Sequence, residues 1–270
     1  MGAAVRAVHP AQCEAVTDAG SGAPWIVMVH GVSQNARVFS AQVEAFRARY
    51  RLLLIDLPGH GRSSDLPGPY GLEEYADCLY ATLRETGVEA AHFWGTHLGA
   101  GAGLLLACRK PDLFSSLILE GPVFPGRALP AVGDMLSRIA QTAREEGMDA
   151  ARRQWWEEGG WFAVMRARAD ECRAAQQRAM IDEFEGRPWL DEGLASRPIA
   201  PIDDLLKTLQ TRVLIMNGEH DMADFFDAAE ALSRLLPRCQ RITIPEAGGF
   251  PLWEFPARVN DEVQRFLDTV

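Results

Sequence analysis

Apolar residues along the chain fall into short unbroken runs separated by longer stretches where they recur every three or four positions. The runs Trp25-Ile-Val-Met-Val29 and Leu52-Leu-Leu-Ile55 are each too short for a helix. Unbroken apolarity suits strands covered on both faces, as in a parallel sheet. Strands are likewise predicted to end at Phe93-Trp94 and to cover Leu117-Ile-Leu119, Val213-Leu-Ile-Met216 and Ile242-Thr-Ile244. Between them, helical periodicity is read over 37–48, 72–86, 98–108, 223–236 and 256–268. Residues 4–17 alternate weakly and meet the turn-rich stretch 18–24, which predicts an edge strand or hairpin.

From Pro122 to Pro201 the pattern is helical throughout, with Trp155, Trp156, Trp161, Phe162, Met165, Phe184 and Trp189 and no strand signal. Strand and helix alternating on either side of an all-helical block predict an α/β fold with a mostly parallel, doubly wound sheet. The core is assigned to 1–121 and 202–270, with a helical cap over 122–201 inserted after the sixth strand.

At 270 residues and 47% hydrophobic, the chain is long enough for one such unit. A formal charge of −10 opposes binding to nucleic acid or anionic membrane. No run approaches the roughly 20 apolar residues of a bilayer span, and no basic stretch with an apolar core opens the chain, so a cytoplasmic location is expected. Cys13, Cys78, Cys108, Cys172 and Cys239 are scattered without metal-ligand or CxxC spacing, consistent with reduced thiols. No cofactor and no metal are expected. The expected partner is a small apolar organic compound, and a homodimer is left open.

In open parallel sheets ligands sit beyond the carboxyl ends of the strands. Gly95-Thr96-His97-Leu98-Gly99 lies there, directly after a strand and opening a helix. A strand-to-helix turn this sharp strains its central residue and needs glycine on both flanks, the geometry of a nucleophile elbow. His30-Gly31-Val32 follows another strand; the backbone N–H groups of Val32 and Leu98 are candidate oxyanion donors. Asp56-Leu-Pro-Gly-His-Gly-Arg-Ser63 and Asn217-Gly-Glu-His-Asp221 complete the set.

With these motifs and the terminal Gly248-Gly-Phe-Pro-Leu-Trp-Glu-Phe-Pro256, the chain resembles the α/β-hydrolase superfamily over nearly its whole length. The resemblance implies an elbow serine, an acid at Asp221 and a histidine just before Phe250. Here the elbow holds His97 and the histidine position holds Gly249, so the Ser-His-Asp arrangement that acyl transfer requires is missing.

Three readings follow. In the first, His97 reaches into the gap left at Gly249 and bonds Asp221, or Glu120 at the alternative acid position. The result is a proton-transfer dyad facing the oxyanion amides. Such a dyad suits proton abstraction beside a carbonyl, as in a lyase, isomerase or cyclase, or general-base hydrolysis. Direct attack by His97 would give only a slow esterase, since no second base serves the ring. In the second reading the cleft binds a ligand without catalysis; in the third an esterase scaffold has had its triad substituted. Trp161, Phe250 and Trp253 are the expected substrate walls. His30, His60 and Asp56 read as loop-forming residues. His220 points away from its neighbour Asp221, and a metal site of His97, His220 and Asp221 lacks ligand spacing.

Overall fold

The computed structural model describes residues 8–191 and 196–270. Residues 4–7 of the expected N-terminal strand, and 192–195 of the expected cap, lie outside them. Seven strands form one sheet: β1 Cys13–Val16, β2 Trp25–Val29, β3 Arg51–Ile55, β4 Ala91–Thr96, β5 Phe114–Glu120, β6 Arg212–Gly218 and β7 Cys239–Ile244, in the order β1-β3-β2-β4-β5-β6-β7. Only β1 is antiparallel, pairing Cys13 with Ile55 through Val16 with Leu52. The unbroken runs of β2, β3 and β6 are buried at every position but the first, which is why they lack a polar face. The two edge strands are the most exposed, with only Ile244 of their ten residues buried.

Helices α1 Ser40–Phe46, α2 Leu72–Glu85 and α3 Leu98–Arg109 link the first strands. The stretch read as one helix over 37–48 begins as a 3-10 turn, Ala36–Phe39, capped by the Asn35 side chain. After β5 come α4 Pro130–Glu145, α5 Met148–Glu158, a 3-10 turn Gly160–Phe162, α6 Ala163–Ala167, α7 Ala174–Glu183 and α8 Arg187–Leu190. Helix α9 Asp203–Thr208 leads back to β6; α10 Ala223–Leu235, α11 Pro251–Glu254 and α12 Pro256–Leu267 complete the chain. The helical insertion thus follows the fifth strand, not the sixth, because the described N-terminal residues supply one strand and no hairpin. No helix among the described residues is long and apolar enough to cross a membrane.

The order of the strands fixes where a ligand can sit. From β2 the chain moves one way to β3, then crosses back to place β4 on the other side of β2. The crevice of a doubly wound sheet opens at that reversal, beyond the strand ends. His30 follows β2 and His97 follows β4, so both motifs meet there.

Candidate active site

The elbow begins with its backbone. His97 adopts φ 45° and ψ −108° as the N-cap of α3, outside the regions open to most side chains. Its N–H donates to the Glu120 carbonyl (2.8 Å), and its own carbonyl accepts from Gly101 (3.0 Å) and Val123 (3.4 Å). The flanking glycines are required: a Cβ on Gly95 would lie 2.6 Å from the Ala100 nitrogen, and one on Gly99 would lie 2.4 Å from the Val29 oxygen.

The His97 ring is buried, edge-on to Phe225 (4.6 Å between centroids) and Phe250 (4.7 Å). Neither ring nitrogen has a hydrogen-bond partner. Loss of hydration with no compensating charge pushes its pKa down to about 3, so the imidazole is neutral. The ring lies against Gly121, where a Cβ would come 2.9 Å from Nε2 and 3.4 Å from Asp221 Oδ2. Ring and carboxylate thus face a common space, and no direct hydrogen bond joins them.

Asp221 accepts from Asn217 Nδ2 (3.0 Å) and the Met222 N–H (2.8 Å). Burial outweighs these bonds and raises its pKa to about 7. Glu120 is fully buried and turned elsewhere, its Oε2 accepting from the Leu252 N–H (3.1 Å) and its Oε1 unpaired. Desolvation raises its pKa strongly, with Glu254 and Asp221 adding repulsion. Glu254, from the terminal motif, accepts from the Gly248 N–H and is lifted to about 7, again chiefly by burial. Of the two acids proposed for His97, neither bonds the ring; Asp221 shares the space at Gly121 with it, and Glu120 is tied to the 251–254 turn.

The expected gap at Gly249 is not open. A Cβ there would lie 2.4 Å from Trp161 Cβ and 2.9 Å from Trp161 Cα, and the Gly249 N–H donates to the Trp161 carbonyl (3.2 Å). The turn Gly160–Phe162 occupies the place a histidine would need. His97 Nε2 approaches Gly121.

A cavity of about 280 Å³ opens above the ring, small among ligand pockets. Val32, Leu98, His97, Trp161 and Phe250 are among the residues that line it. Neither the Val32 nor the Leu98 N–H is engaged by another described residue. Trp253 is not part of the wall: its indole is covered by Arg173, whose guanidinium carbon sits 3.9 Å above it. The sequence reading missed Leu129, Val132 and Leu136, contributed at and beyond the start of α4, and Trp155, Phe225 and Arg127. Periodicity marks which face of α4 is apolar, without telling whether it meets core or cavity. No serine, threonine or cysteine lines the cavity among the described residues.

The surrounding motifs have structural partners. His30 Nε2 accepts from the Leu57 N–H (3.0 Å). Asp56 accepts from the N–H groups of Ala36 (2.6 Å) and Arg62 (3.1 Å). His60 stacks on Phe184, and lost hydration, with repulsion from His30, lowers its pKa to about 3. Among the described residues no three His, Cys, Asp or Glu side chains are grouped to hold a metal ion.

Comparison with known proteins agrees with this architecture. A 2-hydroxy-6-oxononadienedioate/2-hydroxy-6-oxononatrienedioate hydrolase of a Pseudomonas species is 32% identical over 259 residues, covering 93% of this chain and 90% of the relative. A pimeloyl-[acyl-carrier protein] methyl ester esterase of Nitrosomonas europaea is 26% identical, covering 86% and 91%. Among solved structures, a thermophilic esterase from Thermogutta terrifontis superimposes with a TM-score of 0.79 at 25% identity, covering 96% and 93%. The family model for the alpha/beta hydrolase fold matches residues 24–256. The chain belongs to the α/β-hydrolase fold family.

Proposed function

We propose that this protein is an enzyme acting on a small apolar carbonyl or ester compound, with His97 and Asp221 moving a proton at a substrate oxygen or carbon held against the Val32 and Leu98 amides. The observation that carries this reading is His97 itself, whose ring lines an apolar cavity while both its nitrogens, buried beneath that surface, lack a hydrogen-bond partner among the described residues. Buried polar atoms without partners are uncommon and call for one, and the reading requires a turn of the ring that presents a nitrogen to the ligand. Names of the relatives point to the same substrate chemistry, an ester in one and an oxo acid in the other.

The division of labour follows from the two acidities. A neutral ring at about 3 is a weak base and a good hydrogen-bonding relay. A carboxyl at about 7 both takes and returns a proton near neutral pH, which is where general acid–base catalysis works best. Both approach the point where a Gly121 Cβ would sit, at 2.9 and 3.4 Å, and the relay requires a water or a turn of the ring to link them. With no hydroxyl or thiol lining the cavity among the described residues, the supported steps are proton abstraction beside a carbonyl and activation of water. A covalent ester intermediate on serine is not among them.

A second reading, a binding protein that kept the cleft, is favoured by the absence of a direct bond between His97 and either carboxylate. Turnover across a panel of short esters, oxo acids and enolisable ketones, in the parent and in His97→Ala, separates the two. Catalysis through His97 predicts a loss of about 10²–10⁴-fold in turnover with ligand affinity held within about tenfold. Turnover that survives His97→Ala, or a change in affinity with no parent turnover, sinks the catalytic reading.

A further inference from the structure

We propose that the cavity takes a ligand with two ends, a carbonyl directed to His97 and a carboxylate held at the mouth by Arg127. The proposal rests on the cavity being a ligand site, as argued above, and goes further in assigning the ligand a charge and Arg127 the role of selecting it.

Arg127 is the one charged side chain lining the cavity among the described residues, everything else there being apolar apart from neutral His97. Its position is built. The Phe124–Arg127 turn closes through an Arg127 N–H to Phe124 carbonyl bond (3.1 Å), and Gly126 supplies the φ of +83° that the turn needs. The guanidinium carbon then rests 4.0 Å from the centre of the buried Phe124 ring. Stacking on a fixed aromatic face holds the planar fork in one orientation, so less side-chain freedom is lost when it grips a ligand.

The fork is under-used. Of its N–H groups, Nη2 donates to Asp203 Oδ1 at 2.7 Å; no other side-chain bond is made among the described residues. Arg127 and Asp203 are 46% and 39% exposed, and ion pairs this open to water contribute little. A ligand carboxylate can share or replace Asp203 at small cost, accepting the two parallel N–H bonds that a guanidinium offers. The half-exposed setting also lets the carboxylate keep part of its hydration, whereas the apolar interior would strip it. The protein's charge of −10 opposes anions, so a cation at this mouth is a local exception with a chemical consequence.

The test is calorimetric titration with 4-oxo-4-phenylbutyrate and its primary amide, which differ only in the charged end, against the parent, Arg127→Leu and Asp203→Asn. The acid should bind the parent about tenfold tighter than the amide, the scale of one charge-assisted hydrogen bond. In Arg127→Leu that preference should vanish while amide affinity stays within about twofold. In Asp203→Asn the acid should gain affinity and the amide should not. Equal affinities in the parent, or a preference that survives Arg127→Leu, overturn the role of Arg127 and leave the cavity as a ligand site. Binding of neither compound overturns both. Should Arg127→Leu fail to fold, a lack of gain in Asp203→Asn still counts against the proposal.

Discussion

His97 occupies a backbone conformation that its own side chain disfavours, a cost of about 1–3 kcal/mol that the bonds to Glu120, Gly101 and Val123 help offset. Below it lie three carboxyl groups, Glu120, Asp221 and Glu254, all shifted upward by burial. For Asp221 the unfolded chain ionises near 3.8 and the folded chain near 7. Its stabilising contribution is therefore complete below about pH 4 and is lost as pH rises through about 7. Asp221→Asn removes that loss. Asn217 can turn its amide, whose Oδ1 is unpaired, to accept from the new one. The unfolding free energy of Asp221→Asn relative to the parent, from denaturant melts, should climb between about pH 4 and pH 7, at up to about 1.4 kcal/mol per pH unit, and level off above. Taking the difference cancels the opposite drift of His30, His60 and His97, whose depressed values add stability as pH rises. A difference that is flat with pH would show that Asp221 ionises normally. Gly249 carries the second residue-scale prediction. Gly249→His, alone or with His97→Ser, should lower stability by about 1–3 kcal/mol or more and give no fast ester hydrolysis. Trp161→Ala should not rescue it, because Trp161 Cα and carbonyl oxygen crowd the site as well as its side chain. Fast p-nitrophenyl acetate hydrolysis by the double variant would refute this.

At the scale of elements, the helical insertion is tied to the loop after β2 by buried polar bonds. Trp155 of α5 donates its indole N–H to Ser33 Oγ at 2.7 Å, and Gln177 of α7 accepts from Gln34 Nε2 at 3.2 Å. Ser33, at φ 60°, follows Val32, and Gln34 Oε1 accepts from the Gly31 N–H (3.2 Å). The amide offered to a ligand oxygen is thus bracketed by residues whose side chains answer to the insertion. Trp155→Phe keeps an aromatic cavity wall and removes the donor. It should cost about 1 kcal/mol in denaturant unfolding, the worth of one buried hydrogen bond. It should also lower turnover more than it weakens ligand binding, because the loop, not the wall, is disturbed. An unchanged unfolding midpoint would mean that the bond holds nothing in place. None of these long-range pairs could be read from spacing, since Trp155 and Ser33 stand 122 positions apart.

At the scale of the whole molecule, the chain by itself determined the class of fold and pointed to the place of the candidate site. Unbroken apolar runs require strands buried on both faces, a local constraint, and the spacing of glycines at 95 and 99 around the end of a strand marks a sharp turn; both are legible in order along the chain, although the contact that excludes a Cβ at Gly99 is with Val29. The same holds for the departure at positions 97 and 249, a matter of identity alone. Tertiary structure decided what those departures mean. The missing histidine leaves no gap, because Trp161 arrives from the insertion and fills it. Glu120 is held by the Leu252 N–H, 132 positions along the chain, while Asp221 and the ring both approach Gly121 without a bond between them. Trp253 is apolar and adjacent to the right motif, yet Arg173 covers it, while Trp155 and the residues at the start of α4 line the cavity instead. Each outcome depends on which surfaces meet across 80 or more positions of sequence. Periodicity records that a face is apolar; only packing decides whether that face closes on the core or stays open to a ligand.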